Sequence, residues 1–359
     1  MPGFSDIVNR GRWIAALAVM GQLLSGRDAP PPVAALQPIA KGTFTLYSEN
    51  DVFFSGTDQY YTNGAKATWL SAKKKNLTTA GANRVSTSIG KLVDQLTPDH
   101  DGYKLGVSFG QNMYSPADIT VTTFQPDDRP YAAWLYGSLS FHVESKVRPR
   151  PGLPDFDRQL TSVELTVGIT GPDAIGQQVQ DFVHDFWGID RAQGWAHQIG
   201  YQLGANLTVE KKLRWRSEGA SDGLGWDVMP HLGASLGNVN THVNTGLEIR
   251  YGYKLPDDFG TKLIRPGSSN SANSRARFRL FAFAAFDAKY VIRDLLLEGS
   301  TVSGPTRIRH EPLVADFQGG IALAGKHFQL TYSQVVRTKA FTTQPEHFDF
   351  GAAAVSFFY

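Results

Sequence analysis

Apolar and polar residues alternate along most of this chain, beginning near residue 41 and continuing to the C-terminus. In the segment 135–144, for example, Leu139 and Phe141 fall on one face and Ser140 falls on the other. A period of two is typical of a β strand with one apolar and one polar face. The alternation is clearest in four segments: 135–144, 162–170, 247–254 and 328–333.

The length of these segments separates the two architectures that use such strands. A soluble sandwich turns its apolar faces inward, whereas a membrane barrel turns them outward to lipid. Many segments run for about 10 residues or more, the length that a tilted strand needs to cross a bilayer, whereas globular strands average about 5–6. The C-terminal segment places Val355, Phe357 and Tyr359 on one face and ends in an aromatic residue. These features favour a bacterial outer-membrane barrel.

Thirteen candidate strand segments can be marked along the chain, and the alternation is interrupted in one of them. In 288–299 the pair Arg293-Asp294 breaks the pattern, so this segment is interpreted as a loop extension. The remaining twelve satisfy the even strand number of bacterial single-chain barrels. We therefore predict an all-β protein, a twelve-stranded antiparallel transmembrane β-barrel formed by residues 36–359. The thirteen segments are 41–49, 60–71, 103–111, 133–144, 160–170, 197–213, 223–237, 239–254, 275–287, 288–299, 308–324, 326–340 and 347–359.

The first 35 residues differ from the rest of the chain. Arg10 and Arg12 precede a short apolar stretch, which gives way to small and proline-rich residues up to Ala35. This order is typical of a secretory signal peptide, and a buried helix of the domain is the less favoured interpretation. We predict that residues 1–35 are a signal peptide and that the mature chain begins near Leu36.

The amino-acid composition restricts the chemistry available to the chain more than it restricts the fold. The 359 residues are 42% apolar, which excludes a disordered chain. They carry 35 basic and 33 acidic side chains, so the chain has no basic excess of the kind that binding to nucleic acid requires. A mean hydropathy of -0.24 alone would indicate a soluble protein, but a barrel exposes apolar residues on one face of each strand and keeps a similar average. The chain has no cysteine, so any chemistry must use histidine, carboxylates or hydroxyls.

The connections that follow odd-numbered strands contain most of the residues with useful chemistry. If both ends of a twelve-stranded barrel are periplasmic, the first, third and fifth connections lie outside the cell, at 50–59, 112–132 and 171–196. By the same parity, an insertion at about 72–102, which contains Lys73-Lys74-Lys75, lies on the periplasmic side. We expect that insertion to be solvated and too distant from the outer loops to contribute to a site there.

The connection 171–196 changes its periodicity. At about 100° per residue, Gln180 and His184 share one face of a helix, and Phe182 and Phe186 share the opposite face. This pattern predicts a short amphipathic α-helix at about 174–187, in an extracellular loop.

A set of short motifs follows these connections in order. They are Asn50-Asp51, Tyr61-Thr62-Asn63-Gly64, Tyr114-Ser115-Pro116, Asp128-Arg129, and Gly171-Pro172-Asp173 followed by Gly176-Gln177-x-x-Gln180 and His184. In these motifs the chain resembles the outer-membrane lipid A 3'-O-deacylase family, over essentially the whole mature sequence. The helix motif is the most specific part of the resemblance. The fold that it implies is a twelve-stranded barrel with a site between the outer rim of the wall and the loop helix.

The resemblance implies calcium-dependent hydrolysis of the ester at the 3' position of lipid A, with release of the acyloxyacyl chain. In that scheme His184 would be the general base that takes a proton from water. Asp51 would supply an oxygen ligand to Ca2+, which would polarise the ester carbonyl. Asn50 and Thr62 would position water, metal or substrate. The resemblance favours this scheme over a serine nucleophile.

Four further residues are predicted to support this chemistry. Gln177 and Gln180 would orient His184, and Asp190 occupies a position where the family tends to carry an acidic residue. Arg129 either pairs with a carboxylate inside the barrel or binds a phosphate of lipid A, and the sequence leaves both interpretations open.

The resemblance also implies the partner and the location of the protein. Lipid A in the outer leaflet would be the substrate, and the chain would be a monomer in the outer membrane of a Gram-negative cell, with its site facing outward. One departure from the family concerns substrate choice, because the stretch Ser115–Pro126 contains no Lys or Arg for phosphate recognition.

Plainer interpretations of the same residues lead to other functions. Asn50-Asp51 and Asn63-Gly64 are common turn residues, and a histidine on a helix is often only a solvated side chain. The chain could then be a non-enzymatic barrel, such as a small porin or adhesin. A glycerophospholipid hydrolase is the third hypothesis, but the sequence shows no Ser-His pair arranged on the outer face of the barrel.

Overall fold

The computed structural model describes residues 42–51, 60–74, 100–148, 151–152, 154–261, 278–302, 304–306 and 308–359. The predicted signal peptide and most of the predicted 72–102 insertion lie outside these residues.

Twelve strands in the described part of the chain form one closed antiparallel barrel, as predicted. Each strand pairs with the strands next to it in sequence, and β1 closes the barrel by pairing with the C-terminal strand from Thr43 against Phe358 to Asn50 against Gly351. The barrel strands are β1 (Gly42–Asn50), β2 (Tyr60–Ser71), β3 (His100–Ser115), β4 (Ala132–Lys146), β5 (Arg158–Thr170), β6 (Gln202–Arg216), β7 (Leu224–Gly237), β8 (Asn240–Tyr253), β9 (Phe278–Asp294), β12 (Leu313–Gly325), β13 (Phe328–Arg337) and β14 (Phe348–Phe358).

Short helices and one small hairpin lie in the connections between these strands. The β5–β6 connection contains helix α1 (Gly176–Trp187), with 3-10 turns at Pro172–Ala174 and Trp195–His197. The β9–β12 connection contains helix α2 (Leu295–Glu298) and a small hairpin of β10 (Gly299–Ser300) and β11 (Gly304–Pro305). No helix in the described ranges is long and apolar enough to cross a membrane.

The segment 288–299 differs from its prediction as a loop extension. Strand β9 continues through its first part as far as Asp294, and α2 follows directly. The pair Arg293-Asp294 interrupts the alternation because it marks the change from strand to helix. The Asp294 carboxylate accepts a hydrogen bond from the backbone N–H of Leu296 at 2.9 Å, which caps α2. Arg293 donates to the backbone carbonyl of Asn238 at 3.0 Å.

The alternation along the strands sorts side chains between the two faces of the wall. On β3 and β4, Phe109 and Leu139 point outward and are exposed, whereas Ser108 and Ser140 point inward and are buried. An apolar outer face is what lipid requires, because acyl chains cannot solvate polar groups. The polar side chains are therefore gathered in the lumen.

The two ends of the barrel are named here by what they contain. The α1 rim is the end where β1 ends and where the β5–β6 connection with α1 lies, and the terminal rim is the end where β1 begins. Antiparallel order places the β1–β2, β3–β4 and β5–β6 connections together at the α1 rim.

Paired charges fill the lumen at the terminal rim. Arg250 is fully buried and donates to Asp227 at 2.8 and 2.7 Å and to Asp258 at 2.5 Å. Its guanidinium also lies 5.3 Å from the ring centroid of Phe281. Such a network is stable only when each buried charge keeps its partners.

Loop residues and aromatic side chains fill the lumen at the α1 rim. Between these two ends, the described residues line a cavity of about 250 Å³ that carries charges of both signs, including Lys66 and Glu164 at 3.6 Å. The lumen of the described barrel therefore contains a partly open cavity lined by both charged and aromatic side chains. The buried cluster at the α1 rim consists of Tyr60, Tyr61, Leu297, Ile308, Val335, Phe341, Phe348, Phe350 and Ala352.

Replacing Arg250 by methionine should destabilise the barrel by about 3–5 kcal/mol, because the buried Asp258 carboxylate would lose its ion-pair partner and Asp227 would keep Arg216 alone. The measurement is the unfolding midpoint in urea of the purified barrel in detergent micelles. Arg191→Met is the matched control, since its ion pair with Asp185 is about half exposed, and it should shift the midpoint little. Equal shifts for both variants would contradict this account of the lumen.

Candidate active site

Helix α1 lies against the outer face of the barrel wall at the α1 rim. The outward-facing residues Met113 of β3 and Ala133 of β4 form a buried cluster with Ala174 and Trp195 of the β5–β6 connection. The Gln111 side-chain amide, on the same outward face of β3, donates to the Ala174 carbonyl oxygen at 2.5 Å. The helix therefore covers a part of the wall that would otherwise face lipid.

The close approach of α1 to the wall depends on Gly176, its first residue. A Cβ atom at this position would lie 2.5 Å from the Cβ atom of Ala133 and 2.6 Å from the indole ring of Trp195. No larger side chain fits there unless the helix moves, so the glycine of the Gly176-Gln177 motif has a packing role. Left-handed Ile175 precedes it and turns the chain from the 3-10 segment into α1.

His184 lies on the buried face of α1 and is 4% exposed. The helix ends at Gly188, whose left-handed conformation (φ 69°) turns the chain back so that the backbone carbonyl of Asp190 reaches the imidazole. The distance from His184 Nδ1 to that oxygen is 2.6 Å. A carbonyl can only accept, so Nδ1 carries the proton and Nε2 is the basic nitrogen of the neutral ring. This tautomer is the one that a general base needs.

Gln180, one turn before His184, is also buried. Its side-chain oxygen accepts a hydrogen bond from the indole nitrogen of Trp195 at 2.6 Å. Gln177 and the Asp190 side chain are exposed, and Asp190 contacts His184 through its backbone rather than its carboxylate. The buried face of α1 thus combines Gln180 and His184, whereas Gln177 lies outside that contact.

Thr62 lies next to Ser115 across the β2–β3 pair, and their hydroxyl groups are hydrogen bonded. A bulge between Tyr60 and Asn63 places an extra residue in β2 and interrupts the regular alternation there. Ser115 shares the outward face of β3 with Gln111, about 13 Å along the strand, so the Thr62–Ser115 pair lies on the same wall that α1 covers.

Asn50 and Asp51 lie where β1 ends at the same rim. Asn50 is half-buried and pairs across the sheet with Asn63, the residue after Thr62. Asp51 follows it and is 1% exposed. The predicted residues of the first loop and of β2 are therefore brought together, and the remainder of that loop lies outside the described residues.

Asp51 carries a carboxylate, and oxygen ligands of this kind suit a hard cation such as Ca2+. Within the described ranges no group of three or more His, Cys, Asp or Glu residues is placed to hold a metal. A calcium site would therefore use the Asp51 carboxylate together with amide, hydroxyl, backbone carbonyl and water oxygens. Asn50, Thr62 and Ser115 supply the first two of these types nearby.

Arg129 lies on the other side of the wall from α1. Its guanidinium is buried, lines the lumen cavity, and lies 4.1 Å from the ring centroid of Tyr114. Burial lowers the pKa of Arg129 to about 10, and the negative charges of Asp294 and Asp128 oppose that shift. This location favours the interpretation in which Arg129 meets carboxylates inside the barrel.

Three neighbours of these residues were given no role in the sequence analysis. Ser115 is hydrogen bonded to Thr62, and Trp195 is hydrogen bonded to Gln180. Gln111 is hydrogen bonded to Ala174, in the segment before α1. Ser115 belongs to the Tyr114-Ser115-Pro116 motif, which could have marked it as a candidate in the sequence. Trp195 and Gln111 carry no local pattern that distinguishes them from other tryptophans and glutamines, because their partners come from distant parts of the chain.

Comparison with known proteins identifies the family. The family model for the outer membrane protein LpxR matches residues 16–359. This chain belongs to the LpxR family. No curated protein sequence matches it significantly.

One solved structure agrees with this assignment at the level of fold. LpxR from Salmonella typhimurium superimposes with a TM-score of 0.68 at 17% sequence identity, covering 88% of this chain and 100% of that chain. The β domain of the Bordetella autotransporter BrkA gives a TM-score of 0.40 at 11% identity, covering 89% and 100%. Membership of the LpxR family establishes an outer-membrane barrel, and at 17% identity the Salmonella structure supports the fold alone.

Replacing Gly176 by alanine should loosen α1 of this LpxR-family barrel from the wall at a cost of about 1–3 kcal/mol, because the added Cβ overlaps Ala133 and Trp195. Limited proteolysis of the purified barrel should then cleave the β5–β6 connection faster. Gly319→Ala makes the same chemical change in open space on β12 and should leave cleavage unchanged. Unaltered cleavage in Gly176→Ala would show that α1 is not held by this contact.

Proposed function

We propose that this chain is an outer-membrane hydrolase that removes the 3'-linked acyloxyacyl chain from lipid A of lipopolysaccharide. The observation that carries the proposal is the position of His184, which is buried on the same face of α1 as Gly176, the residue that meets the outer wall, and whose basic nitrogen is set by the Asp190 carbonyl. A base on the outer wall can reach an ester in the lipid layer, whereas a base in the lumen could not. Membership of the LpxR family and the loop motifs support the same reaction.

In the proposed reaction, His184 Nε2 removes a proton from a water molecule as that water attacks the ester carbonyl. The Asp190 carbonyl holds the ring and stabilises the imidazolium that forms, since it accepts the Nδ1 proton in both states. His184 then returns a proton to the leaving sugar oxygen. Gln180 is fixed by Trp195 and packs one turn away, so it is a positioning residue for the helix face that carries the base.

Asp51 is proposed as the carboxylate ligand of Ca2+, with Asn50, Thr62 and Ser115 positioning water or substrate beside it. When bound, Ca2+ would supply the positive charge that stabilises the oxyanion formed from the ester carbonyl. The β1–β2 end and α1 lie at the same rim, and Ser115, the partner of Thr62, shares the outward face of β3 with Met113, which packs in the α1 cluster; an ester bound between them requires this arrangement.

The alternative functions fit the described structure less well. A porin needs a wide open lumen, but in the described residues an aromatic cluster occupies the lumen at the α1 rim and the Arg250 ion pairs occupy it at the terminal rim. A phospholipase with a serine nucleophile needs a Ser-His pair on the outer face. His142 does bond Ser140 and Ser162, both at 3.0 Å, but this group is buried inside the lumen.

The location in the outer membrane follows from the family, and its details are part of the proposal. We propose that the α1 rim faces outward, because lipid A occupies the outer leaflet, and that the protein acts as a monomer. Arg129 is proposed as an interior residue rather than a phosphate ligand, since it lines the lumen cavity.

His184→Ala should abolish the change in lipid A that expression of the wild-type chain produces, with a loss of about 10²–10⁴-fold in rate. The measurement is mass spectrometry of lipid A from expressing cells, scored for loss of the acyloxyacyl chain. His197→Ala is the matched control, because His197 is an exposed histidine of the same connection and should retain activity. Unmodified lipid A in cells that contain well-folded wild-type barrel would refute the proposed function.

Asp51→Asn should remove the effect of Ca2+ on the stability of the purified protein. Binding of a ligand to the folded state raises the melting temperature, so added Ca2+ should stabilise the wild type and a chelator should reverse this. The variant should show little response, and its hydrolysis of lipid A should fall with it. Asp127→Asn, which neutralises an exposed carboxylate at the same rim, should respond like the wild type. An undiminished response in Asp51→Asn would place the metal elsewhere.

A further inference from the structure

Helix α1 presents two chemically different flanks on either side of the face that packs against the wall. The apolar flank consists of Val179, Phe182, Val183 and Phe186, which follow the i, i+3, i+4, i+7 spacing of one helix face, together with the adjoining Trp187. The polar flank consists of Gln177, Asp181 and Asp185. The buried residues Gly176, Gln180 and His184 lie between the two flanks, and Val179 of the apolar flank also packs against the wall cluster.

The aromatic side chains of the apolar flank are mostly exposed, which is unfavourable in water. Phe182, Phe186 and Trp187 are 70%, 72% and 70% exposed. The rings of Phe186 and Trp187 lie 5.3 Å apart in a T-shaped arrangement, so they form one continuous aromatic surface. A patch of this kind on a protein marks an interaction surface.

The barrel wall next to α1 indicates which environment contacts the apolar flank. Leu135 and Ile169, which pair across β4 and β5, are half-covered by the α1 cluster, and Val179 of the apolar flank packs against the same cluster. Two residues farther from the rim on β5, Val167 is exposed on the lipid-facing wall, a step of about 7 Å. The apolar flank therefore adjoins the lipid-facing surface of the barrel through Val179, Leu135 and Ile169.

The polar flank of α1 suits water rather than lipid. Asp185 forms an ion pair with Arg191 in which both side chains are about half exposed, and the hydrogen bond from Arg191 lowers the pKa of Asp185. A helix with charges along one flank and aromatics along the other matches the arrangement of a helix that lies in the plane of a membrane interface.

We propose that Phe182, Phe186 and Trp187 insert among the lipid acyl chains at the α1 rim and hold α1 in the membrane interface. Tryptophan and phenylalanine suit this position, because tryptophan favours the headgroup boundary and phenylalanine the apolar layer below it. The insertion fixes the depth of α1 relative to the bilayer. It would occur whether or not the chain hydrolyses lipid A.

Fluorescence quenching in vesicles tests this insertion directly. The purified full-length chain is reconstituted in phosphatidylcholine vesicles whose acyl chains carry bromine, and the contribution of Trp187 is the difference between the wild type and Trp187→Phe. We expect this contribution to be quenched by the brominated chains and shielded from aqueous iodide. Quenching of Trp187 by iodide alone would overturn the proposal.

A matched pair of variants compares the two flanks in the same helix. Phe186→Trp and Gln177→Trp are each made in the Trp187→Phe background, and the nine positions between them place the two side chains on opposite sides of the helix, about 180° apart. Brominated chains should quench Phe186→Trp at least about twofold more strongly than Gln177→Trp. Retained heat-dependent mobility of the barrel in gels confirms folding of each variant.

Other occupants of the apolar flank would give different results. Equal quenching of the two variants would mean that α1 lies outside the lipid. Shielding of Phe186→Trp from both bromine and iodide would mean that a second copy of the chain or another protein covers the flank. Either result overturns insertion. Neither result depends on hydrolysis of lipid A, so insertion and the proposed enzymatic function can fail separately.

Discussion

Closure of the hydrogen-bonded sheet is the constraint on which the rest of this structure depends. In a bilayer no water is present to satisfy an exposed strand edge, so β1 must pair with β14 as completely as with β2. Once the sheet is closed, each strand has one face toward lipid and one toward the lumen. Polar side chains collect inside, where Arg250 and its carboxylate partners fill one end, and apolar side chains collect outside.

This division explains why the candidate site lies at the rim. The middle of the outer wall must remain apolar, and the lumen is out of reach of a lipid. A polar group that acts on a lipid can therefore lie where strands end and a loop covers the wall. The β5–β6 connection provides that cover with α1, whose buried face carries His184 and Gln180 and whose first residue, Gly176, packs against the wall.

The same helix relates the proposed chemistry to the proposed position in the membrane. Its buried face holds the imidazole in one tautomer through the Asp190 carbonyl, and its exposed aromatic flank adjoins the lipid-facing surface. Gly176 is required for the close packing of α1 against the wall, since any Cβ there would overlap Ala133. A single amphipathic helix can thus place a base beside the lipid layer while its other side stays in water.

The sequence by itself determined the barrel, its twelve strands and the presence of α1, because alternation with period two and period 3.6 is local and needs no partner. It also marked His184, Asn50, Asp51 and Thr62 as candidates through short motifs. Tertiary structure alone decided that Arg129 lines the lumen, that Asp190 acts through its backbone, and that Ser115 and Trp195 support Thr62 and Gln180. These relations join residues far apart in the chain, and strand register and helix docking, which bring them together, leave no local pattern.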